Sequence, residues 1–178
     1  MRIGLTQRVL FHRDRAYDSL EHSWYEYLQG HTLIPIPNRI PVIIPDIDLL
    51  IVTGGDDNPV RDHVEQQLVA TMIEQDRPVI GICHGCQLLT RYLGGRCATV
   101  NGHNGKNHTV WNSGTTHTVN SYHNLRIERM PKGARALALT DDNVPEAWIA
   151  GKIAAVMWHP ERMDQPWLPK EIQYLLDK

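Results

Sequence analysis

Two short stretches hold side chains able to do covalent chemistry: Gly81-Ile82-Cys83-His84-Gly85-Cys86-Gln87 and His159-Pro160-Glu161. A thiol attacks as its thiolate, so it needs a lowered pKa or a base beside it. Gly-x-Cys-x-Gly is the spacing of a nucleophile elbow, a strand-to-helix turn so tight that a Cβ at Gly81 or Gly85 would strike neighbouring chain. Such a turn presents Cys83 at a strand end. It also aims the His84 N–H and a helix N-terminus at the same spot, which predicts a lowered thiol pKa and a place for an oxyanion. His159 and Glu161 close an apolar strand, and in extended chain residues i and i+2 share a side. Glu161 then reaches one imidazole nitrogen while the other faces a thiol, giving nucleophile, base and orienting carboxylate.

Blander readings compete. An isolated free cysteine is usually a small core residue, but one that only packs needs no flanking glycines. Cys83 and Cys86 also form a C-x-x-C, the pattern of a dithiol redox pair. His159 and Glu161 taken alone would pass for a strand-end histidine and a surface charge.

The elements that must position these groups follow from the pattern. Val79, Ile80 and Ile82 read as a strand covered on both faces, with a helix over Gln87–Tyr92. Before it come a strand at Arg2–Thr6, a polar, basic loop at Gln7–Tyr17, and a helix capped by Asp18 or Ser19 and running to Gln29. Strands at Thr32–Ile36 and Asp48–Val52 and a helix at Val60–Gln75 complete a βαβαβ rhythm. This predicts an α/β fold: a mostly parallel sheet with helices on both faces, in one domain over residues 1–178. Beyond Gly94-Gly95 the chain reads as short strands and loops to Asn120, a meander over Arg135–Trp158 and a final helix at Pro169–Asp177.

With 178 residues, 42% hydrophobic, the chain is long enough for one core. A net charge of −2 gives no global attraction to nucleic acid or anionic membrane. No apolar run approaches a membrane span, and three cysteines suggest no disulfide framework, so the cytoplasm is the expected compartment. His103, His108, His117 and His123 match no zinc spacing; neither a metal nor a cofactor is expected.

Gly54-Gly55 after a strand, the Cys83 elbow through Gln87, Asn120-Ser121-Tyr122-His123 and Trp158-His159-Pro160-Glu161 occur in an order that resembles the class I glutamine amidotransferase-like family. The resemblance implies a flavodoxin-like fold, a triad of Cys83, His159 and Glu161, and an oxyanion hole from the N–H groups of Gly55 and His84. It also implies that Gln87, Ser121, Tyr122 and His123 hold the amino-acid end of a γ-glutamyl substrate. Asp56 is a candidate for the α-ammonium, or a cap for the next helix. Two jobs remain open: a glutaminase subunit feeding ammonia to a separate synthase, or a free-standing γ-glutamyl amide hydrolase. Among free-standing members the likeness leans to those that release a nucleotide amidate in capsular phosphoramidate biosynthesis. A non-hydrolytic dithiol or binding module is the reading from another class. Arg8, His12, Arg13 and Arg15, in the loop after the first strand, are candidates to meet an anionic, phosphate-bearing leaving group.

Overall fold

The computed structural model describes residues 1–100 and 104–177. In chain order the first half contains β1 (Arg2–Thr6), β2 (Arg8–His12), β3 (Arg15–Ser19), α1 (Ser23–Tyr27), β4 (Thr32–Ile36), β5 (Leu49–Val52), α2 (Pro59–Glu74), β6 (Val79–Ile82) and α3 (His84–Tyr92). The second half contains β7 (Arg96–Thr99), β8 (His108–Asn112), β9 (Thr115–Val119), β10 (Leu125–Arg129), β11 (Arg135–Leu139), β12 (Pro145–Ala150), β13 (Ile153–Val156), a 3₁₀ turn (Pro160–Arg162) and α4 (Lys170–Leu176).

Among the described residues nine strands form one sheet in the order β4-β1-β5-β6-β13-β12-β11-β8-β9. The run from β4 to β13 is parallel, and from β13 onward the pairing is antiparallel. Strand alternation sends Leu49, Ile51, Ile80 and Ile82 to one face, where Trp24, Ile172 and Leu175 of α1 and α4 cover them. Leu50, Val52 and Val79 point the other way onto Val64, Leu68 and Met72 of α2 and Leu88 and Leu89 of α3. Each such side chain leaving water contributes about 1.5–3 kcal/mol, which explains why these short strands carry no polar residue.

Two expectations change. Gln7–Tyr17 is no loop: β2 and β3 pair as a hairpin from Arg8↔Ser19 to His12↔Arg15, closed by Arg13 (φ 47°) and Asp14 (φ 61°). Two left-handed residues make a turn whose twist matches the strands. Charges at Arg8, His12, Arg13 and Arg15 hide this alternation in the sequence. The next helix does not start at Asp18 or Ser19, since β3 takes both and Asp18 accepts hydrogen bonds from the Asn38 backbone and side chain. Only Ser23–Tyr27 is helical there.

Candidate active site

The C-terminal ends of β1, β5, β6 and β13, adjacent in the sheet, bring together Thr6–Arg8, Thr53–Gly55, Cys83–His84 and His159. Loops at this end of a parallel sheet line the crevice where ligands bind. Register carries the pairing into the loops: Val156 lies opposite Ile82, and the Cys83 N–H donates to the Val156 carbonyl at 2.9 Å.

Cys83 is the N-cap of α3, with φ 51° and ψ −102°. A non-glycine residue in that region costs on the order of 1–3 kcal/mol and persists only where the surroundings hold it. They do so through close backbone approach. A Cβ at Gly81 would lie 2.6 Å from the Gly85 carbonyl carbon and oxygen, and one at Gly85 would strike the Val52 carbonyl. The thiol differs from expectation. Burial pushes it up to about 12, more than offsetting the hydrogen bond from the His84 N–H and the Arg162 charge, while Glu161 and Glu146 add to the rise. Desolvation of a thiolate outweighs one N–H and a short helix's dipole. A resting thiol therefore calls for a base within the attack itself.

His159 is buried, and its Nδ1–H donates to Glu161 Oε1 at 2.6 Å. Pro160–Arg162 is a 3₁₀ turn rather than extended chain, so the carboxylate arrives by a turn and not by strand alternation. Asn120, to which sequence reasoning gave no role, grips the His159 backbone: its Oδ1 accepts from the N–H and its Nδ2 donates to the carbonyl, both at 2.8 Å. Tyr122 packs edge-on to the imidazole, ring centroids 5.6 Å apart. Gly54 completes the enclosure, since a Cβ there would stand 3.0 Å from His159 Nε2 and closer still to Cε1.

Beneath the elbow lies a buried charged network. His84 Nε2 meets Glu65 Oε2 at 2.9 Å and its Nδ1 meets Asp57 Oδ1 at 3.0 Å. Glu65 Oε1 accepts from Thr6 Oγ1 at 2.6 Å and Arg61 Nε at 2.8 Å, while Arg61 Nη2 donates to the Thr53 carbonyl at 2.6 Å. Burial alone would raise the Glu65 carboxyl, but His84, Arg61 and Thr6 leave it below the usual range. The network ties the β1, β5 and β6 ends together, which fixes the spacing between the Gly55 and His84 N–H groups. Asp57, Asp62 and His84 each place one ligand atom within 4.8 Å of the others. Both His84 nitrogens are engaged by Asp57 and Glu65, so hydrogen bonding accounts for the group.

The other sequence-derived candidates scatter. Gln87 is buried in the second turn of the α3 segment, its N–H on the Cys83 carbonyl at 3.1 Å. Ser121 is buried with no partner for Oγ among the described residues. His123 is turned away into the interior: Nδ1–H donates to the Leu125 carbonyl at 2.7 Å and Nε2 faces Glu146 at 3.5 Å. Asp56 is exposed, and the cap of α2 is Asn58, whose Oδ1 accepts from the Val60 and Arg61 N–H groups. Arg8 lines the small cavity at His159, whereas His12, Arg13 and Arg15 are exposed at the hairpin tip. His103 lies outside the described residues. None of the described helices is long and apolar enough to cross a membrane.

Comparison with known proteins shows the family and the fold. Residues 14–174 match the family model described as glutamine amidotransferase class-I, and the chain belongs to that family. It is an amide-hydrolysing enzyme of the glutamine amidotransferase type. The chain is 29% identical over 182 residues to the gamma-glutamyl-CDP-amidate hydrolase of Campylobacter jejuni subsp. jejuni serotype O:2, covering 91% of this chain and 90% of that protein. It is 30% identical over 117 residues to the glutamine-hydrolyzing GMP synthase of Bdellovibrio bacteriovorus, covering 62% of this chain and 23% of the synthase. A glutamine amidotransferase from Thermotoga maritima superposes with a TM-score of 0.72 at 16% identity, over 90% of this chain and 76% of that one, a likeness of fold.

Proposed function

We propose that this chain is a free-standing cysteine hydrolase that cleaves a γ-glutamyl amide whose leaving group is a nucleotide-linked amidate. The observation that carries the reading is the clamped base: His159, held by Glu161 at Nδ1 and by Asn120 through its backbone, at the end of the strand next to Cys83. Glu161 fixes the tautomer with Nε2 free to accept a proton.

In this mechanism His159 Nε2 takes the Cys83 proton as Sγ attacks the γ-carbonyl carbon, and the Gly55 and His84 N–H groups receive the oxyanion. The imidazolium returns its proton to the scissile nitrogen, the C–N bond breaks, and a γ-glutamyl thioester remains on Cys83. Water, deprotonated by His159, then releases glutamate and restores the thiol. Gln87 and the Ser121-Tyr122 segment hold the α-carboxylate and α-ammonium.

The nucleotide-linked leaving group is supported by the similarity to the Campylobacter jejuni enzyme, which runs nearly the full length of both chains. The similarity to a GMP synthase favours a second reading, a glutaminase that passes ammonia to a synthase. Incubating the isolated chain with glutamine, a neutral γ-glutamyl anilide and γ-glutamyl-CDP-amidate tests the two. The hydrolase reading expects the nucleotide amidate to show by far the highest kcat/KM. Preference for glutamine, raised further by adding a synthase, supports the second reading.

A further inference from the structure

Beside the His159 ring, one carboxylate stands between two arginines. Glu21 accepts from Arg162 Nε at 3.0 and 3.2 Å and from its Nη2 at 2.7 Å, and Arg8 Nη2 lies 3.5 Å from Glu21 Oε2. The three come from separate segments: Arg8 opens β2, Glu21 lies between β3 and α1, and Arg162 ends the turn after His159. The cavity they share with Gly54, His159 and Glu161 retains about 10 Å³, room for a single water at most. A phosphoryl group does not fit in that space as it stands.

Both cations are anchored at the reaction centre. The Arg162 guanidinium lies 5.1 Å from the centroid of the Tyr122 ring, which itself abuts His159. Arg8 backs onto the turn after β5, its Cβ 3.1 Å from where a Gly55 Cβ would be. Burial opposes the charge on Glu21, yet Arg162, Arg8 and His159 leave its carboxyl below the usual range. Glu161 Oε1 also lies 3.9 Å from Arg162 Nε, so with Glu21 in place the two guanidinium groups face two carboxylates; moving Glu21 aside frees planar forks that suit carboxylate and phosphate oxygens alike.

Substrate geometry selects among the cations. In a γ-glutamyl phosphoramidate the phosphorus is bonded to the nitrogen that leaves, so its oxygens lie two bonds from the atom His159 protonates. From Arg8 to His12 the hairpin advances roughly 13 Å, at about 3.3 Å per residue. His12, Arg13 and Arg15 at the tip are therefore too far along to meet that first phosphate. Arg8 and Arg162 are not.

We propose that Arg8 and Arg162 form an anion clamp for a phosphoryl group bonded directly to the scissile nitrogen, with the Glu21 carboxylate as a placeholder displaced when substrate enters. The proposal rests on Cys83 and His159 being the hydrolytic machinery. It names Arg162 and Glu21 as specificity determinants alongside Arg8.

The test compares kcat/KM for γ-glutamyl-CDP-amidate with that for γ-glutamyl p-nitroanilide in the full-length wild type and in Arg8→Gln, Arg162→Gln and Arg162→Lys. The ratio of the two values falls by about tenfold or more in both glutamine variants, with partial recovery in Arg162→Lys, which keeps the charge but not the fork. Inorganic phosphate serves as an independent probe: competitive inhibition strengthens in Glu21→Gln and weakens in Arg162→Gln, with thermal unfolding confirming that each variant folds. Should the arginine variants fail to fold, phosphate inhibition of Glu21→Gln decides alone. A ratio unchanged in the arginine variants, or phosphate inhibition unchanged in Glu21→Gln, overturns the clamp. Absence of turnover on both substrates, with no adduct on Cys83, overturns the underlying hydrolase reading instead.

Discussion

Replacing Gly54 with alanine adds one methyl group where the His159 ring already stands. Gly54 lies outside the left-handed region, so alanine suits its backbone and the effect is steric. The new Cβ would sit 3.0 Å from Nε2, 3.1 Å from Nδ1 and closer still to Cε1. Ordinary carbon contacts run at about 3.5–4.0 Å, so ring or turn must give by roughly 1 Å. The ring is held at Nδ1 by Glu161 at 2.6 Å, its backbone is pinned by Asn120 and its edge is closed by Tyr122. The turn is held through Thr53 by Arg61 and carries the Gly55 N–H, so either displacement misplaces a group the proposed mechanism uses. A shift of about 1 Å in a catalytic constellation costs on the order of 10²-fold, and overpacking one methyl costs about 1–3 kcal/mol of stability. Gly54→Ala should therefore lose about 10²-fold or more in kcat on a γ-glutamyl amide while still unfolding cooperatively. Steady-state rates beside a thermal melt decide it: a folded variant within threefold of the wild-type kcat refutes the argument that His159 and the turn are mutually locked.

Cys83→Ala should abolish turnover whereas Cys86→Ala keeps most of it, because Cys86 is wholly buried in the α2–α3 face of the core; comparable losses would revive the dithiol reading. His159→Ala should cost several orders of magnitude in kcat, Glu161→Gln distinctly less, and Asn120→Ala roughly 10–100-fold through the freed His159 backbone. If Asn120→Ala leaves kcat unchanged, the backbone clamp is dispensable. Stability should also depend on pH through the buried pair His123 and Glu146. Burial opposes the His123 charge but Glu146 more than offsets it and raises the His123 pKa, while His108 and His123 overcome burial to lower that of Glu146. The His123 contribution is complete below its unfolded pKa of roughly 6.5 and is lost as pH rises through the higher folded value; the Glu146 contribution is lost only as pH falls through its depressed value. Denaturation midpoints should thus decline from near neutrality upward, and Glu146→Gln should flatten that decline; an identical slope in the variant would assign it to other groups.

The turn at Cys83 and the pairing of His159 with Glu161 were largely legible in the sequence, because the elbow and the His-Pro-Glu run are local patterns with local physical meaning. The parallel half of the sheet was legible for the same reason, its strands being short apolar runs between turn signals. What escaped depends on distant segments meeting. Asn120 and His159 lie 39 residues apart, and nothing in either neighbourhood announces their paired hydrogen bonds. The same holds for His84, which is buried under the elbow together with Arg61 and Glu65 of α2. The thiol pKa failed in sign, since sequence shows a helix N-terminus but not the depth at which Cys83 is buried. The β2–β3 hairpin was masked by charges on strands that face solvent on both sides.

The proposed mechanism requires Cys83 to carry the γ-glutamyl group, and the most direct measurement is rapid acid quench of the enzyme during turnover of a γ-glutamyl amide, followed by peptide mapping by mass spectrometry. The predicted result is one γ-glutamyl adduct on the peptide holding Cys83, labile to hydroxylamine as a thioester is, accumulating in the wild type and absent from Cys83→Ala. Turnover with no such adduct at any quench time, or an adduct that persists in Cys83→Ala, would contradict it.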